Sequence, residues 1–155
     1  IIFVCEDNGL AVHTSIPIRR GYNSIVDILS EFNCKTFDID STDVLSIYKY
    51  TKEAIDIINE KQCPVFMNIR YYRYLAHVGI NEDFDAGYRS KEEFENYIKI
   101  RKDPIELQRL RLIYKLNVEV SDLEKEIDDK VSKGINKAKS ASFSNLSETY
   151  TNVFN

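Results

Sequence analysis

The sequence contains no hydrophobic run long enough to cross a bilayer, which takes roughly 20 apolar residues; the run at its start, Ile1-Ile2-Phe3-Val4-Cys5, gives way at once to Glu6-Asp7-Asn8-Gly9. Nor is there an excess of positive charge. Lys and Arg number 21 against 25 Asp and Glu, a net charge of -4, which argues against nucleic acid or an anionic membrane as partner. Cysteine is sparse: Cys5, Cys34 and Cys63 are an odd number without metal-ligand spacing. Each sits near an expected strand end, so all three are read as reduced, structural thiols of a cytoplasmic chain. A signal peptide, an internal repeat, a heptad array and a low-complexity tract are also absent. So is an initiator Met, and with a strand beginning at residue 1 the natural chain is expected to start upstream. What remains, 155 residues with 43% hydrophobic and 30% charged, suits one ordinary globular domain with a sizeable core.

The apolar, β-branched residues 1–5 predict a strand buried on both faces, as in parallel sheets. Residues 10–22 contain Pro17, Gly21 and a basic pair and read as a loop. Ser24 caps a short helix carried by Ile25, Ile28, Leu29 and Phe32, and residues 35–39 alternate as a second strand. Ser41-Thr42-Asp43 opens the clearest helix, striped by Val44, Ile47, Tyr48, Thr51, Ile55 and Ile58. Residues 63–69 form a third strand. Strand, helix, strand, helix, strand predicts an α/β fold, a parallel sheet flanked by helices, with right-handed crossovers. A polar and aromatic loop, residues 70–89, follows. Two capping boxes, Ser90-Lys91-Glu92-Glu93 and Ser121-Asp122-Leu123-Glu124, and the pair Asp103-Pro104 then open three C-terminal helices. The last is striped by Leu123, Ile127, Val131, Ile135 and Ala138, and a Ser- and Asn-rich linker leads to an end segment over residues 150–154.

Ligands of open α/β sheets bind beyond the carboxyl ends of the strands. Here two segments leave such ends, residues 6–10 and residues 70–89. Glu6-Asp7-Asn8-Gly9 sets oxygen ligands beside a glycine that permits a sharp turn, the donors a hard cation such as magnesium accepts, although Asp-Asn-Gly is also a common turn. The stretch Phe3-Val4-Cys5-Glu6-Asp7-Asn8-Gly9-Leu10-Ala11-Val12-His13-Thr14-Ser15 resembles the end of the cofactor motif in the alpha subunits of thiamine-diphosphate-dependent 2-oxo acid dehydrogenases, including those acting on pyruvate, branched-chain oxo acids and acetoin. A second match is Tyr72-Arg73-Tyr74-Leu75-Ala76-His77 followed by Asp83 and by Tyr88-Arg89-Ser90-Lys91-Glu92-Glu93, similar to the family's Tyr-Arg-x-x-x-His loop. Asp103-Pro104-Ile105 and residues 146–154 continue the resemblance in register along nearly the whole chain.

The resemblance implies the thiamine-diphosphate-binding fold, with residues 1–89 as the C-terminal part of that domain and residues 90–155 as a helical extension and tail. It implies that Asn8 gives a side-chain oxygen and Leu10 a backbone carbonyl to Mg2+, which anchors the diphosphate of thiamine diphosphate. It implies that His77 reaches the cofactor and substrate channel as the catalytic histidine, where an imidazole donates to anionic oxygens or moves protons near neutral pH. Arg73 and Arg89 are read as loop-stabilising ion-pair partners, and His13 as a loop histidine without a role. A small 2-oxo acid as substrate, a beta subunit in an alpha2-beta2 heterotetramer and a lipoyl-bearing acyltransferase as acceptor are the implied partners. The family's Gly-Asp-Gly half of the metal motif lies outside these residues, so tight cofactor binding by this chain alone is not expected. Asp7 stands where the family usually has Asn. Val78 replaces a serine that mitochondrial members phosphorylate, which removes that control. The altered segment after His77 leaves open a thiamine-diphosphate-dependent acyloin or ketol transferase, and the turn reading leaves open a non-catalytic α/β assembly domain.

Overall fold

In a computed structural model, residues 1–101 and 103–151 are described. They divide into two units, Ile1–Leu110 and a second starting at Arg111. In the first, strands β1 (Ile2–Asp7), β4 (Lys35–Ile39) and β5 (Val65–Arg70) form one parallel sheet in the order β1-β5-β4. β5 is central. It pairs Val65 with Ile2 on one side and with Lys35 on the other. β2 (Leu10–Ala11) and β3 (Thr14–Ser15) form a separate hairpin, followed by the single helical turn α1 (Ile16–Arg19). Residues 10–22 are therefore not a loop throughout. The two-residue strands are too short for an alternation signal, and Pro17 sits at the start of α1, where its missing N–H is harmless.

Helices α2 (Ile25–Ser30) and α3 (Val44–Lys61) supply the crossovers. Ser24 Oγ accepts from Asp27 N–H at 3.2 Å, and Asp43 Oδ1 accepts from Leu45 N–H at 3.1 Å, so both helices start where the sequence predicts. The core consists of Ile39, Ala54, Val65 and Met67, with Ile2, Phe37, Tyr50, Ile57, Ile58 and Ile69 packed around it. This corrects the expected stripe on α3. Ile47, Thr51 and Ile58 are partly buried, while Val44, Tyr48 and Ile55 are exposed. The helix carries two adjacent apolar stripes, and the fully buried Ala54 lies on the one facing the core; its small side chain permits close approach to the sheet. β1 also departs from expectation. Among the described residues it is bonded to β5 alone and forms an edge of this sheet, and Phe3 and Val4 remain more than half exposed.

Helix α4 (Lys91–Arg101) opens with Ser90 Oγ accepting from Glu93 N–H at 3.0 Å, and α5 (Pro104–Leu116) with Asp103 Oδ1 accepting from Ile105 and Glu106 N–H. α6 (Ser121–Ser140) carries the expected stripe of Leu123, Ile127, Val131 and Ile135, each about half exposed. Its first residue is Ser121 itself, so the N-cap is Val120, which makes no side-chain cap; Ser121 N–H donates to Glu119 Oε1 at 3.0 Å. A 3-10 turn, Leu146–Tyr150, ends the described chain, and residues 152–154 of the expected end segment lie outside it. No helix of the described residues is long and apolar enough to cross a membrane.

Met67 is 1% exposed and Ile105 78%. Met67→Ala should therefore lower the free energy of unfolding by about 2–5 kcal/mol, whereas Ile105→Ala should stay within about 0.5 kcal/mol. Denaturant midpoints of the two variants check this.

Candidate functional site

The register of β1 against β5 brings the two expected ligand segments together. Asp7 pairs with Arg70, and Tyr71 N–H donates to Asp7 O at 3.0 Å, so the turn after β1 and the loop after β5 leave the sheet side by side. In the turn, Asp7 Oδ1 accepts from Gly9 N–H at 3.0 Å and Asn8 Oδ1 from Leu10 N–H at 2.9 Å. Gly9 has φ +75, a left-handed conformation that glycine adopts without penalty. Asn8 Nδ2 donates to the Tyr71 hydroxyl at 3.2 Å, which fixes the amide's orientation. One lone pair of Asn8 Oδ1 is engaged by Leu10, leaving a second for another partner. Ile16 N–H donates to Gly9 O at 3.0 Å, so Leu10 and Ser15 form a non-hydrogen-bonded pair of the hairpin. The Leu10 carbonyl accordingly faces away from β3.

The loop over residues 71–89 contains only one 3-10 turn, Phe84–Ala86, and is organised by side chains. Arg89, 7% exposed, pairs with Asp83 Oδ1 and donates to the carbonyls of Arg73, Tyr74 and Leu75. Its guanidinium also lies 5.1 Å from the centre of the Phe84 ring and 5.7 Å from that of Tyr72. Arg73 donates to Asp83 Oδ2 at 3.4 Å, to the Tyr88 hydroxyl and to Leu75 O, and reaches across to Val12 O at 3.1 Å. Tyr88 completes the set by donating to Asp83. Burial pushes the Asp83 carboxyl up, but the hydrogen bonds from Tyr88 and Arg89 and the charges of Arg89 and Arg73 outweigh it and hold the group below the usual carboxylate range. Burial and the bond to Asp83 push the Tyr88 hydroxyl up. Both arginines are thus ion-pair partners, as their setting in the sequence suggests.

The tip of the hairpin rests on this network. Val12 has φ 62, an unusual conformation for a β-branched residue, and its carbonyl is held by Arg73. The neighbouring His13 ring stacks on Tyr88 with centroids 4.5 Å apart. A contact of this kind is invisible in sequence, because it joins positions 75 residues apart.

Two clefts flank the turn, and Asn8 and Gly9 line both. One, of about 250 Å3, is lined also by Leu10, Tyr72, Arg73 and Glu93. Tyr72 lines this cleft, and its hydroxyl is buried without a hydrogen-bond partner. The other, of about 460 Å3, includes Asp38, Asn68, Arg70 and Tyr71. Asn68 donates to Asp38 at 2.9 Å while its own oxygen is unpartnered. Asn68 and Tyr72 lie outside the expected site residues; their strand-end positions beside residue 70 were the available signal. Asn8 and Leu10, which both line the smaller cleft, offer neutral oxygens of the kind a hard cation accepts. They do not make a complete cage: among the described residues no three His, Cys, Asp or Glu side chains gather to hold a metal. His77 is exposed and lines neither cleft. It sits in a bend closed by Ala76 N–H donating to Asn81 O at 2.9 Å.

A family model described as the dehydrogenase E1 component matches residues 1–148. The chain belongs to the dehydrogenase E1 component family. Similar proteins include pyruvate dehydrogenase E1 component subunit alpha of Rickettsia felis, 24% identical over 99% of this chain and 47% of the relative, and its counterpart in Zymomonas mobilis, 28% identical over 99% and 43%. The testis-specific mitochondrial form of Rattus norvegicus is 32% identical over 88% of this chain and 34% of its own length. The E1-family chain thus spans about half the length, or less, of these curated relatives. Family membership and the parallel sheet agree with the fold class read from the sequence.

Asp83 gives a test of the loop. Its carboxyl titrates lower in the folded chain than in the unfolded one, so its contribution to stability is complete above the unfolded value of about 3.9 and is lost as pH falls through the lowered folded value. Asp83→Asn should remove that acid dependence and make residues 71–89 markedly more sensitive to proteolysis at neutral pH. Limited proteolysis with peptide mapping from pH 7 to pH 3 reads both effects.

Proposed function

We propose that the protein acts as the decarboxylating E1 component of a 2-oxo acid dehydrogenase and that this chain carries part of its metal and cofactor site. The observation that supports this best is that Asn8 and Leu10 line one cleft beside a glycine turn, at the carboxyl end of a parallel strand. Asn8 and Leu10 would hold Mg2+ together with the diphosphate of thiamine diphosphate. When bound, that cofactor supplies the electron sink for loss of carbon dioxide from the oxo acid.

The chain's own residues divide the remaining work. Arg89 and Arg73 are engaged by Asp83 and by backbone carbonyls, so they order the loop instead of binding phosphate. Tyr71 keeps the Asn8 oxygen turned toward its second partner by accepting from the amide nitrogen. His77, exposed on the loop, is the residue in this reading that holds or moves a proton, at an imidazole nitrogen, near the substrate. Completion of the site by a beta subunit, an alpha2-beta2 assembly and transfer of the acyl group to a lipoyl-bearing acyltransferase belong to the same proposal.

Asn8→Ala in the complete assembly should weaken binding of magnesium with thiamine diphosphate by at least about 10-fold, with the melting temperature without cofactor little changed. Calorimetric titration measures the first and thermal unfolding the second. Unchanged cofactor affinity would reduce the turn to a turn and return the chain to the assembly-domain reading. His77→Ala should instead leave cofactor affinity near the parent value and slow turnover by about 10²–10⁴-fold, read by single-turnover decarboxylation. Transfer of the activated unit to a second carbonyl compound, with no reduction of a lipoyl acceptor, would indicate the ketol transferase.

A further inference from the structure

At the opposite ends of the same strands lies a cleft of about 450 Å3 lined by Phe32, Asn33, Cys34, Lys35, Lys61 and Cys63, with Glu53 and Ile57. Cys34 immediately precedes β4, and Cys63 is separated from β5 only by Pro64. The two strands are parallel with Lys35 opposite Val65, and Lys35 N–H donates to Pro64 O at 3.0 Å. Continued by one residue, that register sets Cys34 beside Pro64 and diagonal to Cys63. Cys63 Sγ lies 3.5 Å from the carbonyl oxygen of Asn33, the peptide that leads into Cys34. Strands about 4.8 Å apart with a rise of about 3.3 Å place a diagonal pair of Cα atoms about 6 Å apart. Disulfides accept separations of about 4.4–6.8 Å. Both thiols are reduced and partly exposed. Burial pushes the Cys34 thiol up, and a negative charge on Cys63 pushes it further, an interaction that itself requires closeness.

We propose that Cys34 and Cys63 form a reversible intrachain disulfide by exchange with a small anionic disulfide of the glutathione class. Lys35 and Lys61 give the cleft two positive charges against the single carboxylate of Glu53, a balance suited to the carboxylates of such an oxidant. The thiolate of one cysteine attacks a sulfur of the oxidant, and the glutathione thiolate that leaves takes up a proton. The second cysteine, having lost its proton to water, attacks the protein-side sulfur of the mixed disulfide and expels a second glutathione. Two protein thiols lose two electrons and two protons; the oxidant gains them as two glutathione molecules. The cross-link ties the chain entering β4 to the chain entering β5 and closes the segment that holds α3. It is independent of the reading of the Asn8 turn.

The test treats the full-length protein, in its native assembly, with oxidised glutathione. Free thiols are then blocked with N-ethylmaleimide, and the protein is digested without reduction for peptide mapping. The expected result is a linked peptide joining Cys34 and Cys63, two hydrogens lighter than its parts, lost on dithiothreitol treatment and absent from Cys34→Ser and Cys63→Ser. The melting temperature of the oxidised protein should rise by several degrees, on the order of 5 °C, because the bond constrains the unfolded chain. Both cysteines recovered as maleimide adducts would overturn the proposal. A lasting glutathione adduct on either, or a link from either to Cys5 or to another chain, would do the same. The wild-type map decides the matter even if a serine variant fails to fold.

Discussion

A guanidinium cannot be buried without partners, and the burial of Arg89 governs how the upper part of this chain is built. A cation at 7% exposure needs a counter-charge and acceptors for its five N–H groups. Asp83 provides the charge, and the carbonyls of residues 73–75 provide acceptors that a loop without strand or helix would otherwise leave unpaired. Asp83, once fixed, is shared with Arg73, and Arg73 carries the constraint out of the loop to Val12 O. The hairpin tip is thereby pinned in a left-handed conformation that its valine would not choose alone. Leu10 lies two residues before that tip. The hairpin that carries Leu10 is therefore tied at its tip to the Asp83 network.

This division of labour explains how Arg73 and Arg89 lie near the turn while being engaged within the loop itself. A free arginine near Asn8 would attract phosphate directly, whereas Arg73 and Arg89 are saturated by one carboxylate, one phenol and several carbonyls. Among the groups that line the smaller cleft, Asn8 and Leu10 contribute neutral oxygens. Neutral oxygens bind a divalent cation weakly unless anionic ligands join them, so the proposed Mg2+ would depend on the phosphates of its cofactor.

Local signals were legible in the sequence wherever a few neighbouring residues decided the outcome. Ser24, Asp43, Ser90 and Asp103 each cap the helix they precede because a cap needs only a side-chain oxygen two or three residues from its N–H. The strands read as β4 and β5 appear within two residues of their expected bounds, since alternation and apolar runs are local as well. Ser121 shows where this reading fails: its capping box is present, yet the helix takes Ser121 as its first residue, and a nearby Glu119 serves Ser121 N–H. The stripe on α3 failed for a different reason. Two faces were apolar enough, and only the position of a small residue, Ala54, against the sheet selected one. At the site, Asn8 and Leu10, paired through the family resemblance, both line one cleft, while the stacking of His13 on Tyr88 and the orphaned hydroxyl of Tyr72 depend on the tertiary path of the loop.

β5 is the element through which both ends of the sheet are related. Its carboxyl end, at Asn68 and Arg70, borders the larger cleft beside the turn, and its amino end emerges from Pro64 next to the two thiols. Between them Val65 and Met67 are almost wholly buried and bonded on both sides, so the strand behaves as a rigid spacer. A covalent bond at the amino end would add constraint where the ladder already begins. It would leave the Asp83 network intact, because no residue of that network contributes to the thiol cleft. The redox chemistry proposed for one end of the sheet and the ligand binding proposed for the other would thus remain separate, provided that the paired segment between them does not change register. Its register is fixed by the same core contacts that bury Val65 and Met67, since a one-residue slip would turn both outward.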